Sequence, residues 1–166
     1  MRAEFSLDYD VLTLERPQKL YLMAQFVAGV SLNSGQRRPL NLSLVIDRSG
    51  SMAGAKMDYT RQAAQFLVQH LSPMDTLSIV LYSDKVETIV APERVVNKDA
   101  IAQKLERIRA SGTTNLSAGW LEGCQNVARH LSAETLDRVI LMSDGLANRG
   151  VTDKAQLVAL AQQKYG

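Results

Sequence analysis

The sequence predicts an α/β domain: a mostly parallel sheet with one antiparallel edge strand, preceded by a separate pair of β-strands. Three observations carry that expectation. Short runs of apolar residues at 40–46 and 138–142 have the length and composition of buried strands. Between them lie segments whose apolar residues recur at helical spacing. Polar turns separate the two kinds of pattern, and strands alternating with helices build parallel sheets.

Taken in order, residues 3–14 and 19–30 read as strands. Leu20, Leu22, Ala24, Phe26, Ala28 and Val30 fall on one face at period two, and Glu15-Arg16-Pro17-Gln18 is the turn between the strands. Residues 1–36 are therefore expected to be an N-terminal β-hairpin extension. The loop at 33–39 is polar, and its Arg37-Arg38 pair reads as a solvated turn. After the strand at 40–46, Met57, Ala64, Leu67, Val68 and Leu71 mark the inner face of a helix that Ser72-Pro73 stops. Residues 76–82 form a second core strand. Ser83-Asp84-Lys85 then turns the chain back along 86–90, which supplies the antiparallel edge. Ile101, Leu105 and Ile108 define a short amphipathic helix with Asn97 as its N-cap. Leu116, Trp120, Cys124, Val127 and Leu131 define a longer one, with core packing the expected role of Trp120 and Cys124. Residues 138–142 are a short buried strand. A last helical pattern starts at Thr152 and turns Leu157, Leu160 and Ala161 inward.

Bulk properties exclude several classes. At 166 residues, with 46% hydrophobic and 22% charged residues, the chain fits a globular protein with a sizeable core. A net charge of +2 gives no argument for nucleic acid or an anionic membrane. One cysteine forbids an intrachain disulfide and suits a reducing compartment. Residues 1–6 lack the apolar core of a secretion signal, and the stretch at 20–30 is too short to span a bilayer. With Met1 as the native start, the cytoplasm is the default expectation. His70 and His130 fall at the ends of helical patterns without neighbouring Cys or His, which argues against zinc. The run Gly50-Ser51-Met52-Ala53-Gly54-Ala55-Lys56 lacks the Gly-Lys-Ser/Thr ending of a phosphate loop.

The chemistry concentrates where strands end. The apolar run at 40–46 stops at Asp47-Arg48-Ser49-Gly50-Ser51: one carboxylate and two hydroxyls at alternate positions. Such a set suits a hard divalent cation, since magnesium takes oxygen ligands in octahedral geometry. Taken alone, Asp and Ser at that place are equally the residues of a helix N-cap. Ser111-Gly112-Thr113-Thr114-Asn115 adds a hydroxyl-bearing turn, and the strand at 138–142 runs into Ser143-Asp144-Gly145. Loops after the carboxyl ends of strands in an open α/β sheet share one crevice.

Together these three segments resemble the metal-ion-dependent adhesion site (MIDAS) of the von Willebrand factor A (vWA) domain family, of the bacterial type, over residues 40–164. The resemblance implies a doubly wound, Rossmann-like sheet with helices on both faces, within residues 37–166. It also implies a non-enzymatic module that holds Mg2+, with Mn2+ or Ca2+ as substitutes, through Asp47, Ser49, Ser51, Thr114 and Asp144. In that family the two serines ligate directly. The threonine binds directly or through water, and the two aspartates act through water. Thr114 takes the threonine position, while Thr113 stands where the family has a second glycine, which leaves two threonines for one role. Asn148 fits the Asp-Gly-x-x-Asn turn as a brace. A partner protein would present Asp or Glu to complete the coordination.

A second role implied by the family is an adaptor for an AAA+ ATPase in a chelatase or remodelling complex. A metal-dependent hydrolase is the third reading. A dehalogenase-type phosphatase needs an aspartate where Ser49 stands, and a serine hydrolase needs a histidine base and a Gly-x-Ser-x-Gly elbow that the chain lacks. The family continues with a further strand and helix, so the chain is expected to be an excerpt of a longer protein.

Overall fold

The computed structural model describes residues 2–7, 22–27 and 37–144, and beyond these 151, 153, 155, 156 and 159. The turn expected at 15–18, Gly145, Asn148, Thr152, Leu157, Leu160, Ala161 and the C-terminal tripeptide lie outside the described residues. The chain divides into two compact units, Met1–Arg37 and Arg38–Gly166. In the first, β1 (Arg2–Leu7) and β2 (Leu22–Val27) pair antiparallel, with Arg2 opposite Val27 and Leu7 opposite Leu22.

The second unit is an α/β sheet with helices on both faces. Its elements are β3 (Leu40–Asp47), α1 (Ala55–His70), β4 (Thr76–Tyr82), β5 (Val86–Arg94), α2 (Lys98–Glu106), α3 (Leu116–Ala128) and β6 (Leu136–Met142). The strand order is β5-β4-β3-β6, with β3 parallel to both neighbours and β5 antiparallel to β4. This is the doubly wound arrangement with one antiparallel edge that the sequence predicted.

The central strands are buried almost throughout because both their faces are covered, with Asn41, Ser43 and Ser78 as buried polar exceptions among apolar residues. Successive residues of a strand point to opposite faces. Leu42, Leu44 and Ile46 of β3, with Leu77, Ile79 and Leu81 of β4, face α1 and α2. Val45, Val80 and Tyr82 form a smaller cluster on the other face, beneath α3. Helix α1 buries Met57, Ala64 and Val68 on one stripe, and α2 buries Ile101 and Leu105. The Asn97 side chain caps α2 by accepting from the Ala100 N–H at 3.0 Å. Strand β5 is an edge, and its register with β4 shifts between Leu77 and Ile79. Pro92 lies in that shift, where its missing N–H costs the ladder nothing.

Buried polar groups tie the sheet at its amino ends. Asp75 is fully buried and accepts the N–H groups of Leu40 at 2.8 Å and Ser72 at 2.7 Å. Asn41 donates to the Val127 carbonyl at 2.9 Å and to Asp137 at 2.7 Å, joining β3 to α3 and β6.

Three expectations need correction. The 138–142 run is not a fully buried strand: Leu136 and Ile140 of β6 are 37% and 38% exposed. Only its Val139 and Leu141 side packs beneath α3, beside Val45. Leu131 is not on the inner stripe of α3, since the helix ends at Ala128 and Leu131 is exposed. Arg38 is more than a solvated turn residue. Its guanidinium donates to the Thr135 carbonyl at 2.6 Å and to the Ala133 carbonyl, which staples the loop before β6.

Candidate metal centre

Because β3, β4 and β6 are parallel, their carboxyl ends lie along one edge of the sheet. β3 comes first in sequence, and its neighbours β4 and β6 stand on opposite sides of it. The chain leaves β3 toward β4 and comes back to β6 on the other side of β3, and such a reversal of strand order opens a crevice. Asp47 ends β3 in register with Tyr82 at the end of β4, while Met142 ends β6 opposite Ile46. Asp144 follows two residues later.

Asp47 is fully buried. One carboxylate oxygen accepts the Ser49 N–H at 2.8 Å, and the other accepts the Ser143 hydroxyl at 3.0 Å. Among the described residues no Lys, Arg or His pairs with it. A buried carboxylate without a cation is costly, even with two hydrogen bonds.

The serines are not used as helix caps. A 3-10 turn spans Gly50–Met52 with Ser49 at its N-cap, yet Ser49 makes no side-chain capping bond. The N-cap of α1 is Gly54, which has no side chain to cap with. Instead the Ser49 and Ser51 hydroxyl oxygens face each other at 3.1 Å. Adjacent oxygens around an octahedral magnesium, with bonds of about 2.1 Å, stand roughly 3.0 Å apart. The pair is therefore spaced as neighbouring ligands would be. Among the described residues no group of three or more His, Cys, Asp or Glu comes together, so hydroxyls dominate this oxygen set.

The third loop is locked against the first. The Ser111 N–H donates to the Arg48 carbonyl at 2.6 Å, and the Gly50 N–H donates to the Gly112 carbonyl at 2.9 Å. The Asn115 N–H bonds the Ser83 carbonyl at 2.9 Å, and its side chain caps α3 by accepting from the Ala118 N–H at 3.3 Å. Capping of α3 thus falls to Asn115, and the preceding Thr114 is buried while Thr113 is exposed. Gly112 has φ of 80°, and a Cβ there would stand 2.4 Å from Asp84 Oδ1. Gly112→Ala should cost about 1–2 kcal/mol for the left-handed backbone alone. A melting temperature equal to that of the parent would show that the loop does not need this conformation.

Asp144 is mostly covered, and its Oδ2 accepts from Lys56 Nζ at 2.9 Å. Asp47, Ser49, Ser51, Thr114 and Asp144 thus stand on three loops at one edge of the sheet, tied by the Gly50–Gly112 and Asp47–Ser143 bonds. Three neighbours were not singled out from the sequence. Ser143 holds Asp47, and its adjacency to Asp144 was the available signal. Lys56 pairs with Asp144 from the start of α1. Tyr82 stands beside Asp47 on the neighbouring strand, and burial pushes its hydroxyl above the usual phenol range; the nearby Asp47 and Asp144 carboxylates add to the effect. The hydroxyl lies alongside Asp47 and Ser143 but makes no hydrogen bond of ordinary geometry among the described residues.

A sheet of this topology, with three loops converging at its carboxyl edge, defines a class, and the chain belongs to it: residues 41–166 match the von Willebrand factor type A domain family. This is a family of protein-interaction and adhesion modules. An uncharacterized protein of Synechocystis sp. is 30% identical over 139 residues, covering 84% of this chain and 33% of that protein. Inter-alpha-trypsin inhibitor heavy chain H1 of Mesocricetus auratus is 28% identical over 172 residues, covering 95% of this chain and 18% of its own length. The chain thus spans a third or less of these curated relatives. Among solved structures, a von Willebrand factor type A protein from Catenulispora acidiphila superposes with a TM-score of 0.61 at 17% identity, over 98% of this chain and 34% of that one. The type V pili tip protein Mfa5 from Porphyromonas gingivalis gives 0.59 at 18% identity, over 87% of this chain and 27% of that one. At such identities these two speak for the fold alone.

Proposed function

We propose that this domain is a metal-dependent protein-binding module without catalytic activity. The observation that carries the reading is Asp47: a buried carboxylate with no cationic partner among the described residues, beside two uncapped hydroxyls 3.1 Å apart. Ser49, Ser51 and Thr114 would hold a divalent cation, Mg2+ first and Mn2+ or Ca2+ as substitutes, with Asp47 and Asp144 balancing its charge. When bound, the cation supplies a Lewis-acidic position that an Asp or Glu of a partner protein completes. The residues of the chain do the rest. Ser143 and the Ser49 N–H orient Asp47, so its charge is fixed toward the hydroxyl pair. The Gly112 turn sets Thr114 on the same edge. An adaptor role beside an AAA+ ATPase would use this same surface.

The test is retention of partner proteins on the immobilised domain in magnesium and in EDTA. Retention that requires magnesium and is lost on Asp47→Ala supports the proposal. Retention that ignores EDTA removes its basis. Appearance of an AAA+ ATPase among the magnesium-dependent proteins would select the adaptor role.

Lys56 makes a sharper prediction. Its ammonium sits on Asp144 and must yield if that carboxylate is to serve a cation. The Lys56 side chain is half exposed, so the pair is worth about 0.2–1 kcal/mol. Lys56→Met should accordingly tighten manganese binding roughly two- to fivefold by calorimetry. Weaker binding in that variant would mean that Lys56 supports the site.

A further inference from the structure

A cavity of about 500 Å³ opens beside the metal loop, and its wall is cationic. Among the described residues, Arg48, Lys104, Arg107 and Arg109 line it against the one carboxylate of Glu87. Four positive groups thus gather in one place on a chain whose net charge is only +2. Such a concentration needs a reason, because like charges repel across a low-dielectric wall.

Part of the reason is local. The cations cluster about the end of α2, where helix carbonyls lack partners. Arg109 donates to the Ile108 carbonyl at 2.9 Å, and Lys104 donates to the Ile89 carbonyl at 2.9 Å. Those contacts account for two of the four. Arg107 is exposed, and no described residue accepts from its guanidinium. Arg48 stands apart: its Nε is buried and has no hydrogen-bond partner among the described residues. Its nearest carboxylate, Glu87, is 3.9 Å away, at the limit of an ion pair. A buried cationic N–H without an acceptor is rare in folded proteins.

The cavity is continuous with the metal loop through the backbone. Arg48 lies between Asp47 and Ser49, and its carbonyl accepts from Ser111, which also lines the cavity. We propose that this cavity is an anion subsite, which takes a second carboxylate from the same acidic segment that presents its first to the Asp47 loop. The inference rests on the proposed function for the first carboxylate, while the cavity's own chemistry stands without it. A protein carboxylate suits the wall better than nucleic acid does. Among the described residues no aromatic side chain lines the cavity to stack a base, and Glu87 would repel a chain of phosphates. A carboxylate entering the cavity would meet Arg48 and Arg107 in one wall, with Glu87 left in place. Planar guanidinium groups favour such two-oxygen acceptors.

The experiment measures anisotropy of a fluorescein-labelled hexaglutamate peptide with the whole chain, in magnesium and in EDTA. Manganese binding is followed separately by calorimetry. The variants are Arg107→Gln, at an exposed position where folding is not at risk, and Arg48→Gln with Arg107→Gln. The double variant should bind the peptide at least tenfold more weakly, the equivalent of one lost charge-assisted contact, about 1.4 kcal/mol. Its manganese binding should be no weaker than the parent's, since the substitutions remove positive charge near a cation. Peptide binding should also weaken as salt rises.

The two proposals fail in different ways. If manganese binds and the double variant holds the peptide as tightly as the parent, the anion subsite is wrong and the metal reading stands. If manganese does not bind, yet peptide binding in EDTA still falls in the double variant, the subsite stands without the metal. Tighter binding of a labelled oligothymidylate than of hexaglutamate, lost on the same substitutions, would overturn the choice of a protein carboxylate.

Discussion

Asp47→Asn should weaken manganese binding roughly 10- to 100-fold, the range found when a charged group behind the ligands of a metal is lost. The substitution keeps the shape of the side chain. An amide oxygen can still accept the Ser49 N–H, and an amide nitrogen can donate to the Ser143 hydroxyl, so the hydrogen bonds survive in altered polarity. What disappears is the charge. Without metal, that charge is buried with no cationic partner among the described residues, which disfavours the folded state. The metal-free variant is therefore expected to be at least as stable as the parent. With metal the order reverses. At a hundred times its dissociation constant the cation should stabilise the parent by about 2.7 kcal/mol. That corresponds to a rise in melting temperature of roughly 5–10 °C. At the same concentration the variant should gain only about 0.4–1.4 kcal/mol, half of this rise or less. Two melting curves for each protein decide the matter. If Asp47→Asn is several kcal/mol less stable in EDTA, Asp47 is a structural carboxylate and the metal assignment loses its main support.

The same residues show what a sequence can reveal. The position of Asp47, Ser49 and Ser51 at the end of a strand was legible because they follow a run buried on both faces, and the end of such a run is a place in the fold. β3 and β4 were legible for the same reason, and α2 for its stripe and its Asn97 cap. Strand β6 misled because Val139-Ile140-Leu141-Met142 spells continuous apolarity, although one side of the strand is only half covered. Composition reports that a residue can be buried, not whether an element lies above it. Tyr82 and Ser143 were invisible as neighbours of Asp47 for a different reason. Their placement follows from the pairing of β4 and β6 with β3, and register is set by long-range packing. The Arg48 cavity also required tertiary placement, since α2 brings Lys104 and Arg107 to a loop more than fifty residues earlier.

Packing at long range also governs the second large effect. Gly119→Ala should lower stability although alanine is the better helix former. Gly119 is buried in α3, where the helix lies against the β4 end of the sheet. A Cβ at this position would fall 2.6 Å from Tyr82 Cγ and 2.8 Å from Tyr82 Cβ. These atoms are the root of a fully buried ring and cannot swing aside as a flexible tip would. Helix and strand must therefore separate. Overpacking of this kind costs about 1–3 kcal/mol or more, against a gain of about 0.5–1 kcal/mol from replacing glycine in a helix. The net loss should lower the melting temperature by several degrees, at roughly 2–4 °C per kcal/mol. Gln125→Ala, on the exposed side of the same helix, should leave it nearly unchanged. The displacement should also reach the crevice. Asn115 caps α3 and is held by the Ser83 carbonyl, just after β4, so a shifted helix carries the Thr114 loop with it. Gly119→Ala should then weaken manganese binding even at temperatures where the variant is fully folded. Unchanged affinity beside reduced stability would mean that the loop is positioned by its bonds to Arg48 and Gly50 alone.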